Sequence, residues 1–202
     1  EIADIIFTAQ ADFKSAQKFL RKVRKSTLAN GRSRSSIKVM PGLSVFVGQT
    51  KREAQEKFNI LHSMSDEAEA IEGLGRLLGG LDLSGYDPNG PMPDLEGNDL
   101  RKSGPGTFAR IGRENNFTLA QVATQAKASR NHCLVIGSIK EVADHMEFWF
   151  RNGAADGFNL LPATVPGALN DFCKLVVPEL QRRGIFRREY EGNTLRDILG
   201  FE

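Results

Sequence analysis

Short apolar, β-branched runs alternate along this chain with longer stretches in which apolar residues recur every three or four positions. The first pattern suits strands covered on both faces, the second amphipathic helices. Asp4-Ile5-Ile6-Phe7-Thr8 opens the series as a strand. A helix is expected from Asp12, which can cap it, with Phe13, Ala16, Leu20 and Val23 on its apolar face and Asn30-Gly31 at its end. Ile37-Lys38-Val39-Met40 reads as a second strand stopped by Pro41-Gly42, with Leu43 to Val47 as an extension past the break. Thr50 and Glu53 form a capping box before a helix that carries Ala54, Phe58 and Leu61 on one side. A further helix is predicted from about Asp66 to Leu78, closed by Gly79-Gly80.

From Leu81 to Gly106 periodicity fails and turn formers crowd in, as in a functional loop, lid or linker. A second box, Thr118 with Gln121, opens a short helix through Val122 and Ala126. Leu134-Val135-Ile136-Gly137 is strand-like or an extended lead-in to a third box, Ser138 with Glu141. The helix behind it should bury Val142, Met146, Trp149 and Phe150 and end at Asn152-Gly153. Asp156 to Pro162 reads as a strand and its exit. The last helix has Leu169, Phe172, Val176 and Leu180 on its core face, with a kink or new start at Pro178. Strands alternating with helices imply parallel pairing and right-handed crossovers, hence an α/β layer structure with about three core strands. Three are too few for a closed barrel, which needs eight.

Composition adds exclusions. The 202 residues are 40% hydrophobic and 26% charged, as in an ordinary folded domain. No run of about 18 apolar residues suggests a membrane span, and the opening Glu1-Ile2-Ala3-Asp4 lacks a basic leader. Two cysteines, Cys133 and Cys173, without a CxxC or a histidine pair argue against a disulfide framework or a zinc site, and Cys173 reads as a small buried hydrophobe. A reducing cytoplasm is the setting this fits best. The net charge of +2 hides nine basic residues between Ala11 and Lys38 against one acid, Asp12. Such a stripe can bind nucleic acid, but with only Phe13 and Phe19 interleaved it reads better as a solvated helix face and polar loop.

No phosphate loop, GxGxxG, GxSxG or HExxH occurs. His62, His132 and His145 are scattered, and His145 reads as structural. The acidic pairs Glu67/Glu69 and Asp94/Glu96 read as surface or caps. Catalytic residues therefore stay unassigned. In parallel α/β folds ligands gather at the carboxyl ends of the strands. Here those ends are Phe7-Thr8-Ala9-Gln10, Met40-Pro41-Gly42 and Leu160-Leu161-Pro162, apolar or amide-bearing, which suits a flat, partly hydrophobic ligand.

Ala3-Asp4-Ile5-Ile6-Phe7-Thr8-Ala9-Gln10, Leu81-Asp82-Leu83-Ser84-Gly85-Tyr86, Asp156-Gly157-Phe158-Asn159-Leu160-Leu161-Pro162 and the run Val177 to Gly184, with Arg188-Glu189-Tyr190-Glu191-Gly192 and Thr194-Leu195-Arg196, together resemble the nitrilotriacetate, pristinamycin synthase and dibenzothiophene sulfone monooxygenase family, a luciferase-like group. The resemblance covers essentially the whole chain and implies the C-terminal part of a longer (β/α)8 TIM barrel. Strands six, seven and eight would be Asp4 to Thr8, Ile37 to Met40 and Gly157 to Leu161. One barrel domain would then divide into residues 1–49, an insertion or lid at 50–131, and a final helix-strand-helix unit at 132–202. The implied activity is oxygenation of a small organic substrate with O₂ and reduced FMN, supplied by an NAD(P)H-dependent flavin reductase, without a metal. The flavin does the oxygen chemistry and the protein positions and shields it, which accounts for the missing catalytic constellation.

By the same resemblance Phe7 lies against the flavin ring or substrate and Val135 lines the pocket from the other side, while Ala9, Gln10, Met40, Pro41 and Leu161, from the strand ends, complete the candidate site. The family's phosphate-holding serines fall just before residue 1, so this chain alone is expected to bind FMN weakly or not at all. A homo-oligomer is expected, with neither nucleic acid nor membrane as partner. The competing reading is a non-catalytic truncated paralogue or interaction domain.

Overall fold

A parallel sheet of four strands forms among the described residues, which in this computed structural model are 3–64, 66–94 and 104–201. Strand β1 is Ile5–Thr8, β2 Lys38–Gly48, β3 Cys133–Ser138 and β4 Asn159–Pro162. β2 is the hub. Its first half pairs with β1, from Ile5 opposite Lys38 to Thr8 opposite Pro41. Its second half pairs with β3, from Leu43 opposite Cys133, and with β4, from Gly42 opposite Asn159.

The expected stop at Pro41-Gly42 does not occur, and β2 runs straight through. Pro41 lies where the β1 ladder ends and the β4 ladder begins, a place where a missing N–H breaks no continuous ladder. The segment at Leu134 is a full strand rather than a lead-in, so the sheet has one strand more than the three predicted.

Helix α1, Phe13–Ala29, is capped as expected: Asp12 Oδ1 accepts from Ser15 N at 3.0 Å, and Gly31 leaves the helix in the left-handed conformation. Ala16 and Leu20 are buried, as the spacing predicts. Arg24 departs from the solvated face expected of the basic stretch. It is only 8% exposed, and its guanidinium donates to Asp156 and to the Ile37 carbonyl. The other Asp156 oxygen accepts from Val39 N at 2.8 Å, so one carboxylate links α1, β2 and the approach to β4.

After α2, Lys51–Ser63, come α3, Glu67–Leu77, α4, Gly104–Glu114, and α5, Leu119–Ser129. The box at Thr50 is half formed: Thr50 accepts from Glu53 N, but Glu53 Oε2 accepts from Gln49 N instead of Thr50 N. Those at Thr118 and Ser138 are complete. α4 begins inside the span read as irregular, where Gly104, Pro105 and Gly106 hide its start; residues 95–103 of that span, with Glu96, lie outside the described residues.

Two apolar cores result. The first joins Leu43, Val45 and Val47 of β2 to Cys133 and Val135, to Ala16, and to Val142, Ala143 and Trp149 of α6, Ile139–Arg151. The second is built by α3, α4 and α5 around Ile71, Leu74, Leu78, Phe108, Leu119 and Val122. The Arg110 to Asp12 ion pair, 3.0 Å, ties α4 to the cap of α1.

Beyond β4, α7 (Gly167–Asp171) passes through a π-helical turn, Phe172–Val176, into α8 (Val177–Arg182). Pro178 has no N–H to give to a helical carbonyl, and the widened turn comes just before it. Phe172 and Val176 face the core, whereas Cys173, expected to be buried, is exposed because it follows Phe172 around the helix. Phe150, also expected inside, is 46% exposed. The last helix, α9, is Leu195–Ile198, and Arg196 ion-pairs with Asp4 at the start of β1.

Candidate functional site

Side chains alternate across a strand, and residues paired in parallel register share a face. The pairings therefore place Ile5, Phe7, Lys38, Met40, Gly42, Asn159 and Leu161 on one face of the sheet. Val39, Pro41, Leu43, Val45 and Leu160 lie on the other, toward α1, α6 and α8, where the first core forms. Of the seven candidate positions, Phe7, Met40 and Leu161 thus come to the same face. Phe7 is 53% exposed at the carboxyl end of β1, Met40 and Leu161 are half-buried, and Met40 lies over Gly157. Ala9 and Gln10 follow β1 directly; Ala9 is exposed, and Gln10 Nε2 donates to Thr8 Oγ1 at 2.9 Å.

Pro41 and Val135 are not brought to Phe7. Pro41 is fully buried on the helix side. Val135 pairs with Val45 inside the first core, because β3 joins β2 in a register that turns Val135 toward α6.

Two residues outside the seven candidate positions, His132 and the strand-end Gly42, join Phe7. The His132 ring stacks on the Phe7 ring at 5.1 Å between centroids and 24° between planes. The same imidazole lies on Gly42, where an added Cβ would fall 2.2 Å from His132 Nδ1. Burial and nearby Arg130 hold the imidazole below its ordinary pKa, although a hydrogen bond with the Thr8 backbone opposes the shift. Nδ1 is buried without a partner. A glycine after a proline and a histidine leading into a strand were the visible signals, but only the fold joins them.

The other histidines have different surroundings. His145 packs on Trp149 and lies 3.3 Å from Cys133 Sγ. Burial lowers His145 to about 4 and, with a smaller contribution from Asp12, raises Cys133 to about 12, so both are neutral near pH 7 and neither is an activated nucleophile or acid. His62 packs between Phe46 and Phe58, its pKa lowered by burial and by Lys127.

Two cavities border the sheet. One of about 430 Å³ includes Met40, Gly157, Phe158, Phe150 and Phe186, but Lys38 and Asp156 in its wall place it toward the strands' amino ends. The other, about 460 Å³, lies at their carboxyl ends between α2 and α7, with Phe46, Met64 and Thr164 in its wall beside the Lys57–Asp171 ion pair. Among the described residues no group of three His, Cys, Asp or Glu could hold a metal. No helix among them is long and apolar enough to cross a membrane.

Comparison with known proteins gives these features a lineage. Residues 1–156 match the model of the luciferase-like monooxygenases. Nitrilotriacetate monooxygenase component A of Aminobacter aminovorans is 39% identical over 202 residues, covering 98% of this chain and 44% of that protein. The crystal structure of DmoA from Hyphomicrobium sulfonivorans superposes with a TM-score of 0.82 at 28% identity, over 98% of this chain and 41% of the other. A riboflavin lyase solved with modified FMN and riboflavin gives 0.72 at 31% identity, over 98% and 43%. The chain therefore spans less than half the length of these relatives, and its parallel α/β sheet corresponds to part of their fold. It belongs to the luciferase-like monooxygenase family.

Proposed function

We propose that this chain is the C-terminal part of a two-component monooxygenase barrel that oxygenates a small organic substrate with reduced FMN and O₂. The observation that carries the reading is the exposed Phe7 ring at the carboxyl end of a parallel strand, sharing its face with Met40 and Leu161. Ligands of parallel α/β folds gather at such ends. The apolar side chains of Phe7, Met40 and Leu161 fit one side of an isoalloxazine ring and offer nothing to its phosphate, so the phosphate would be held by other residues. When bound, reduced flavin supplies the electrons and activates O₂.

The work of this chain's own residues is placement and shielding. Phe7, Met40 and Leu161 would keep water from the reacting ring. The Gln10 side chain, one of whose N–H groups donates to Thr8 Oγ1, would orient a polar group at the pocket edge through its amide carbonyl. Residues 50–131 would form a lid. Its second core and the Arg110–Asp12 pair next to the β1 loop support that role. The reductase partner rests on kinship with a protein named component A.

A second reading, a non-catalytic interaction element, is favoured by one observation: β1 and β4 pair only with β2 among the described residues, leaving an edge on each. Titrating FMN into this chain alone and into the complete barrel separates the two. The proposal expects weak binding by the chain, reduced-FMN binding by the barrel, and substrate-dependent O₂ uptake once a reductase is added. Tight stoichiometric FMN on this chain alone, or a folded barrel inert toward reduced FMN, would overturn it.

A further inference from the structure

Phe7 does not stand by itself at the end of β1. Its ring lies nearly parallel to His132, and His132 lies on the bare Cα of Gly42. Glycine is required at the base, because a Cβ there would come within 2.2, 2.6 and 2.8 Å of three imidazole atoms. The segment that delivers His132 is held in an unusual shape. Arg130 and Asn131 are consecutive non-glycine residues with φ of 49° and 68°, a conformation that L side chains rarely adopt. The turn is closed by His132 N donating to the Ser129 carbonyl at 2.9 Å. Backbone strain of this kind persists where surrounding structure enforces it, often beside a ligand.

We propose that His132 is a positioning residue for the flavin reaction: wedged between Gly42 and Phe7, it fixes the Phe7 ring as one wall of a slot for a flat, conjugated ligand ring. This rests on the function proposed above. The imidazole acts through its plane rather than through proton transfer, since Nδ1 faces the Gly42 backbone, out of solvent, and the ring's hydrogen bond is to the Thr8 backbone. A free phenyl group at the end of a strand samples several rotamers, and binding a planar ring would then have to freeze it. Stacking on His132 completes that ordering in advance, which favours affinity over turnover. The slot selects for planar partners such as isoalloxazine or an aromatic substrate, because a ring held by His132 on one side presents its other face to an offset-stacked partner.

The test uses the complete barrel, with reduced FMN titrated anaerobically and KM and kcat measured with a reductase present. His132→Ala is expected to weaken the flavin about three- to tenfold, the range of an aromatic stack, with kcat within about twofold. His132→Phe, planar but without nitrogen, should restore binding. Gly42→Ala should cause a similar loss in the wild-type background and a smaller one beside His132→Ala, where the collision is gone. Unchanged affinity in a folded His132→Ala protein would overturn the proposal, and so would a His132→Phe protein as weak as His132→Ala. Should His132→Ala fail to fold, His132→Phe and Gly42→Ala decide by the same criteria. If the wild-type barrel ignores flavin, the proposed function fails; upfield ring-current shifts of the Phe7 protons in this chain, lost in His132→Leu, then still report whether the stack exists.

Discussion

Replacing Asp156 by alanine should destabilise the chain more than any surface change, because its carboxylate answers two demands at once. It accepts from the buried Arg24 guanidinium and from Val39 N, while its own N–H donates to the Val39 carbonyl at 3.0 Å. Truncation leaves the guanidinium of the buried Arg24 with the Ile37 carbonyl and no counter-charge, and leaves the Val39 amide bare. Breaking one side of a buried ion pair costs about 3–5 kcal/mol, and a lost buried amide partner about 1–3 kcal/mol. Shared desolvation makes these overlap, so a total of about 4 kcal/mol is expected, or a melting point lower by on the order of 10 °C for a chain of this size.

Arg24→Met removes the charge and keeps much of the packing, so it should cost less, and the double variant should recover part of the Asp156→Ala loss. The assay is urea unfolding followed by circular dichroism for the two single variants and the double variant. A coupling energy of at least about 1 kcal/mol is predicted. Single effects that add to within about 0.5 kcal/mol would refute the idea that Asp156 joins α1 to the sheet.

Two further perturbations probe the helices around the sheet. Burial depresses His145 from 6.5 to about 4, so between those values the unfolded chain binds more protons than the folded one. Stability is therefore full above about pH 6.5 and falls as pH drops toward 4, by up to about 3 kcal/mol; urea midpoints at pH 7.5 and 5 should converge in His145→Phe, and equal pH slopes in both proteins would count against it. In the second core, a Cβ at Gly75 would fall 2.2 Å from the Leu81 carbonyl oxygen, which belongs to backbone and cannot swing aside. Gly75→Ala should cost about 1–3 kcal/mol from overpacking and speed amide exchange in α3 and α5, while unchanged exchange would show that the loop yields freely.

Local signals in this sequence translated well into structure. Asp12, Thr118 and Ser138 cap the helices they announce, since a cap depends only on the next few residues. Elements set by distant partners were harder to see. Pro41 looked like a strand end because nothing local says that the partner changes from β1 to β4 at that point. Cys173 reads as buried from its apolar surroundings, yet Phe172 and Val176 occupy the core face and leave it outside. Arg24 reads locally as one more solvated cation because its partner, Asp156, lies far along the chain. The candidate site divides in the same way. Phe7, Met40 and Leu161 share a face, as strand ends can, but Val135 turned inward with its strand's register. His132 and Gly42 offered no motif, only a fit visible in three dimensions.

The wall at Phe7 is the centre of the functional account, and anaerobic titration of reduced FMN into the complete barrel tests it directly, comparing wild type with Phe7→Ala and Phe7→Trp. The account predicts that Phe7→Ala binds about three- to tenfold more weakly, consistent with a lost aromatic contact, and that Phe7→Trp stays near wild type. Equal affinity and equal turnover in a folded Phe7→Ala protein would contradict it.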